Sequence, residues 1–189
     1  LKAGEEGIAD RFESATVLFA DVVDFTPLSA SMSADELVSL LDEIFRSLDG
    51  LVGALGLEKI KTVGDAYMVA SGVPEWRPDH AEAMAELALG IRSHTEEEVF
   101  GGRRVQVRIG MHSGPVVAGI IGDRKFSYDL WGDTVNTASR LESHGVPGEI
   151  QISVETKDLI SDSYRCERRG EVELKGKGPV ETWFLRERR

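Results

Sequence analysis

A single cysteine, Cys166, has no partner for an intrachain disulfide, so the fold must be held by its core. That fits a reducing compartment. Cations are in deficit: 22 Lys and Arg stand against 33 Asp and Glu, a net charge of −11. A nucleic-acid backbone is bound by clustered Lys and Arg, which argues against DNA and RNA as partners. A nucleotide needs only a few local cations and is not excluded. No apolar run approaches the length of a membrane span, and no stretch reads as a signal peptide. Internal repeats and low-complexity tracts are absent.

What is present is enough for one large domain: 41% of the 189 residues are hydrophobic. Residues 1–14 are charged and Gly-bearing, with Ile8 and Phe12 as weak anchors. We read them as a linker or frayed helix from an upstream segment outside this chain, regulatory or membrane-tethering, and residues 15–189 as the folded unit. The catalytic part is expected on the cytoplasmic side.

The chain is organised around Val17–Thr26. The apolar run Val17-Leu18-Phe19-Ala20 reads as a buried central strand, and it ends abruptly at Asp21. That places a carboxylate at the mouth of a crevice, where it needs a partner. Ser33 and Glu36 form a capping box ahead of apolar residues at helical spacing from Leu37 to Leu55, and Gly56 ends that helix. Leu57 to Gly72 reads as a hairpin with Gly64-Asp65 at its tip. Pro78 suits the first turn of a helix whose apolar face is Met84, Leu87, Ala88 and Ile91. Val105, Val107, Ile109 and Met111 alternate, giving a half-buried strand that Ser113-Gly114-Pro115 is expected to break. Helices are predicted from Asp133 to about Glu142 and near Glu155–Ile160, with a short strand over Glu149–Ile152 between them. Strands around Gly170–Leu174 and Thr182–Leu185 close the chain. The mixture of helices and hairpins predicts an α+β fold with antiparallel pairs.

Asp21 and Asp65 both end strand-like runs. Two carboxylates converging at a sheet edge make a hard-oxygen site suited to Mg²⁺ or Mn²⁺. Either residue alone reads more readily as a turn residue or cap, and only their joint placement brings the metal reading level with that one. Asn136 and Arg140 are four apart, so they share one helix face. Lys175 and Lys177 flank Gly176 in a turn that could close over phosphates. His112 reads as a satisfied core or edge histidine. Phe126, Tyr128 and Trp131 read as packing or a subunit contact, and Cys166 as inert.

FADVVDFT, then KIKTVGDAYM, then IGMHSGPVVAGIIGDRKFSYDLWGDTVNTASRLES, in that order, resemble the class III nucleotidyl cyclase catalytic domain. The likeness runs from about Thr16 to Leu185 and is nearest to the bacterial homodimeric adenylyl cyclases. It implies a ferredoxin-like βαβ core, a mostly antiparallel central sheet flanked by helices, and a smaller C-terminal αβ subdomain. It implies conversion of ATP to 3′,5′-cyclic AMP and pyrophosphate, by in-line attack of the ribose 3′-hydroxyl on the α-phosphate with two divalent cations, Mg²⁺ or Mn²⁺. By the same resemblance Asp21 and Asp65, with the Val22 carbonyl, match the metal site. Lys61 and Asp129 match the purine-reading pair, Asn136 the ribose-orienting residue and Arg140 the transition-state arginine. Lys175 matches the lysine that binds the terminal phosphates, with Lys177 as a nearby alternative. The resemblance further implies a head-to-tail homodimer with shared sites. One departure bears on the phosphate loop: Asp24 stands where the family often has glycine.

Overall fold

The computed structural model describes residues 9–121 and 127–189. The order of elements is β1 (Ala9–Val22), α1 (Phe25–Ala30), α2 (Ala34–Ala54), β2 (Glu58–Val63), β3 (Ala66–Ser71), α3 (His80–Glu97), β4 (Val107–Ile121), β5 (Ser127–Trp131), α4 (Asp133–Ser143), β6 (Ile150–Ser153), α5 (Val154–Ile160), β7 (Tyr164–Leu174) and β8 (Gly178–Arg188). The strands form one eight-stranded sheet in the order β2-β3-β1-β4-β6-β8-β7, with β5 paired to β4 off this path. All pairs are antiparallel except β4 with β6. The C-terminal αβ unit, β6 to β8, therefore extends the same sheet through that parallel contact.

β1 lies between β3 and β4, and its apolar run is continuous because both faces are covered. Leu18, Ala20 and Val22 point to a core shared with Leu40, Ile44, Leu48 and Val52 of α2 and Met84, Leu87, Ala88 and Ile91 of α3. Val17 and Phe19 point to the opposite face, where Leu130 of β5 and Ala138 of α4 cover them. α2 begins in the expected capping box: Ser33 Oγ accepts from the Glu36 N–H, and the Glu36 carboxylate accepts from the Ser33 N–H. Gly56 takes a left-handed φ of 62° just beyond its end.

Two expectations are corrected. Residues 9–14, read as linker or frayed helix, are strand: Ala9 to Phe12 pair with Gly119 to Val116 of β4. The charged residues Asp10, Arg11 and Glu13 concealed a strand whose Phe12 packs on the second core. Residues 1–8 of that segment lie outside the described residues. Ser113-Gly114-Pro115 does not break β4, which runs through from Val107 to Ile121. Pro115 is tolerated because it lies opposite the irregularity in β1 between Phe12 and Ala15, where the ladder is already interrupted.

α4 rests directly on β4 at Gly110. A Cβ there would fall 2.1 Å from the Glu142 backbone nitrogen and 2.6 Å from the Ala138 carbonyl oxygen. Backbone on both sides cannot give way cheaply. Gly110→Ala is therefore expected to lift α4 and cost about 3 kcal/mol or more. Urea denaturation checks this, and wild-type stability would contradict so close a contact.

Candidate active site

Asp21 leaves the sheet at the end of β1, and Asp65 sits in the tight turn between β2 and β3, which Gly64 makes possible with φ 63°. Because β3 pairs with β1, this turn arrives beside the end of β1, and the Asp21 and Asp65 side chains come within hydrogen-bonding reach. The Asp65 carboxyl is pushed up to about 6, first by burial, then by the hydrogen bond to Asp21 and by its charge. Two carboxyl groups this close repel one another when both are charged, so positive charge beside them is favoured. Their hard oxygens fit a divalent cation in that role. Val22 follows directly as the last residue of β1. Among the described residues no group of three or more His, Cys, Asp or Glu is arranged to hold a metal, so further ligands would be carbonyl, water or substrate oxygens.

Arg108, opposite Asp21 in the β1–β4 register, was not singled out by sequence reasoning. Its Nη2 donates to Asp21 Oδ2 at 3.1 Å and its Nε to Glu142 Oε1 at 3.3 Å. Glu142 lies in the last turn of α4 with its side chain 8% exposed. Burial first, then the Asp21 charge, pushes its carboxyl up to about 7, against the pull of Arg108. A raised folded value means stability is fully present below the unfolded value of 4.5 and is lost as pH rises through about 7. We expect wild type to lose thermal stability relative to Glu142→Gln over that window in chelator. A difference that is flat with pH, or of opposite sign, would contradict the charged environment described.

Lys61 of β2 and Asp129 of β5 meet across the sheet surface, with Lys61 Nζ 2.5 Å from Asp129 Oδ2. Asp129 Oδ1 also accepts from the Leu130 N–H at 2.8 Å. The pair is partly open, with side chains 38% and 18% exposed. Asn136 and Arg140 lie one turn apart on α4, Asn136 exposed and Arg140 half-buried. A Cβ on Gly176 would lie 3.9 Å from an Arg140 guanidinium nitrogen, so the β7–β8 turn stands beside this arginine. Within that turn Lys177 is bound to Asp133 at 2.6 Å, whereas Lys175 is exposed and forms no ion pair among the described residues.

Thus the fold gathers three groups: Asp21 with Asp65, Lys61 with Asp129, and Asn136 and Arg140 with the Lys175 turn. It does not bring Arg140 onto the acid pair. Glu142 faces Arg108 and Asp21, and Arg140, two positions back, lies about 200° around the helix facing the other way.

Asp24 holds φ 56° and ψ 30°, the left-handed conformation that glycine usually supplies. Asp is among the few residues that adopt it readily, so the departure at Asp24 leaves the glycine-type backbone in place. His112 is a satisfied interior histidine, bonded to Ser153 Oγ at 2.7 Å. Phe126 lies outside the described residues. Tyr128 packs against the second core, and Trp131 is exposed opposite Val117.

Residues 8–187 match the family model described as the adenylate and guanylate cyclase catalytic domain. The chain is 46% identical over 179 residues to an adenylate cyclase of Mycobacterium tuberculosis, which covers 94% of this chain and 40% of that protein. It therefore spans well under half the length of that relative. Among solved structures, the guanylate cyclase domain of RhGC from Catenaria anguillulae, in complex with GTP, superposes with a TM-score of 0.93 at 36% identity, over 95% of this chain and all of that one. The adenylyl cyclase CyaB from P. aeruginosa superposes with a TM-score of 0.86 at 30% identity, over 96% of this chain and 97% of its own. The chain belongs to the adenylate and guanylate cyclase catalytic domain family. Among the described residues no helix is long and apolar enough to cross a membrane.

Proposed function

We propose that this domain is an adenylyl cyclase, converting ATP to 3′,5′-cyclic AMP and pyrophosphate. The observation that carries ATP over GTP is the Lys61–Asp129 pair. Adenine offers an amino donor at N6 and an acceptor at N1, which suit a carboxylate and an ammonium. Guanine presents a carbonyl and an N–H at the same places and would leave both side chains mispaired.

In this reading the bond that forms joins the ribose 3′-oxygen to the α-phosphorus, and the bond that breaks releases pyrophosphate. Asp21, Asp65 and the Val22 carbonyl would hold two divalent cations, Mg²⁺ or Mn²⁺, which when bound supply Lewis-acid chemistry at the phosphates and the attacking hydroxyl. Asn136 orients the ribose. Arg140 spreads its charge over the phosphate oxygens as the bond order changes, which a planar guanidinium does better than an ammonium. Lys175 meets the terminal phosphates, and Lys177, already bound to Asp133, does not. Arg108, bonded to Asp21, adds a cation beside the acid pair.

The site is shared between two copies of the chain. Support comes from α4, whose opposite faces carry Arg140 and the Glu142 contact to the Asp21 side. One nucleotide spanning Asp21, Asp65 and Arg140 would take the arginine from a second subunit. The exposed apolar residues Val117, Ile120 and Trp131 on the β4–β5 hairpin offer that subunit a surface.

The test is to give the purified chain equal ATP and GTP with Mn²⁺ and identify the products. Cyclic AMP in excess is expected. Cyclic GMP in excess would replace this reading with a guanylyl cyclase, and binding without product would replace it with a nucleotide sensor.

A further inference from the structure

The geometry points to a buried proton relay between His80 of α3 and His112 of β4, in which the hydrogen on one imidazole decides the hydrogen on the other. Six side chains stand in series. His80 Nδ1 lies 2.7 Å from Thr16 Oγ1, and Thr16 Oγ1 lies 2.8 Å from Ser113 Oγ. Ser113 Oγ lies 3.0 Å from Thr156 Oγ1, which lies 3.4 Å from Ser153 Oγ. Ser153 Oγ lies 2.7 Å from His112 Nδ1. All six residues are 9% exposed or less, so bulk water cannot stand in for a missing partner. The series also crosses the sheet. Thr16 shares the face of Leu18 and Ala20, against α3, whereas His112 lies opposite Val17 on the face that α4 covers.

The hydrogens can be counted. Five contacts need five hydrogens, and the four hydroxyls supply four. One imidazole must therefore donate from Nδ1 and the other accept there. Two acceptors leave a contact empty, and two donors leave a hydrogen without a place. Both rings cannot be charged with the series intact, because imidazolium donates from both nitrogens. At the outer end His80 Nε2 lies 2.9 Å from the hydroxyl of half-buried Ser14, which either donates or accepts. Reversal is balanced. Ser14 takes a proton from water and passes its own to His80 Nε2, each hydrogen in the series moves one place toward His112, and His112 releases a proton from Nε2. Burial lowers the proton affinity of both rings. At His80 the Asp79 charge opposes burial and Arg77 reinforces it. At His112 Glu155 of α5 and Asp133 of α4 oppose it, and Lys177 of the β7–β8 turn reinforces it. A charged His112 is a second cation for Asp133, which Lys177 already holds at 2.6 Å. The state of His80 is thereby felt at the foot of the turn that carries Lys175; this consequence for activity rests on the cyclase reading above.

Nitrogen-15 NMR of the histidine rings tests this in the wild-type chain, without nucleotide or metal. At about pH 8, above the histidine range, opposite tautomers are expected, with the hydrogen at Nδ1 of one ring and at Nε2 of the other. As pH falls to about 5 the folded pair is expected to take up no more than one proton. Thr156→Val keeps the shape of a fully buried side chain and removes a hydroxyl from the middle of the series. That lifts the restriction on His112, whose titration midpoint is expected to rise. His80→Gln should give the same rise, since an amide can turn either end toward Thr16, and the two substitutions together should add nothing further. Thermal midpoints recorded alongside show that the variants are folded. KM for ATP is expected to rise about threefold in both variants at the pH of that midpoint, and to match wild type at about pH 8. The same tautomer on both rings, two charged rings in the folded chain, or additive shifts would overturn the relay. An equal rise in KM at the higher pH would overturn its reach to the turn. If wild type itself made no cyclic nucleotide, the cyclase reading would fail instead, and the NMR comparison would still decide whether the two rings are linked.

Discussion

Mixing inactive Asp21→Ala chains with inactive Arg140→Ala chains is expected to restore cyclic AMP synthesis. Each variant alone should lose about a thousandfold in kcat. For Asp21 that is the scale of several kcal/mol of lost charge stabilisation at the phosphates. For Arg140 it is the scale seen when a transition-state arginine is removed from phosphoryl transfer. In a homodimer with shared sites, a mixed dimer has one site with both defects and one with neither. Random pairing makes half the dimers mixed, so an equal mixture should recover about one quarter of wild-type activity. The structural basis is that Asp21 and Arg140 of one chain lie on opposite sides of α4. A mixture as inactive as its components would mean that each chain uses its own arginine.

The second large effect concerns the base. Lys61→Glu combined with Asp129→Cys is expected to shift preference from ATP to GTP. The glutamate would accept from the guanine N1–H, and the small side chain would no longer set a carboxylate against O6. Loss of ATP turnover by a factor of about 10⁴ is expected, because mispaired polar groups discriminate on that scale. Lys61→Glu alone should do worst with both nucleotides. It places a second acid where Lys61 now lies 2.5 Å from Asp129. Comparison of kcat/KM for ATP and GTP across the two single variants and the double variant checks this. An unchanged ATP preference in the double variant would remove Lys61 and Asp129 from base reading.

Much of the arrangement could be read from the letters, and the parts that could not share a cause. Asp21 was legible because an apolar run stops at an acid, and Asp65 because Gly64-Asp65 marks a turn between extended runs. The fold then brings those two strand ends together as neighbours. Asn136 and Arg140 were legible from helical spacing. Arg108 and Glu142 were not, since a charge on the polar side of an alternating strand and one in a last helical turn both look solvated. Their meaning is a contact over 34 positions in sequence. Gly110 was the available signal, because a glycine inside a strand often marks a close backbone approach. β1 was misjudged at its start because charge masked alternation, and β4 at Pro115 because the compensating irregularity lies on the other strand. In each case the deciding partner is remote in the chain.

The role given to Asp21 and Asp65 is tested most directly by counting Mn²⁺ in the presence of 3′-deoxy-ATP, which can bind but cannot cyclise. Electron paramagnetic resonance is expected to show two magnetically coupled Mn²⁺ ions per site, with the coupling abolished in both Asp21→Asn and Asp65→Asn. A single uncoupled ion, or two ions unaffected by either substitution, would contradict the joint cation site on which the account rests.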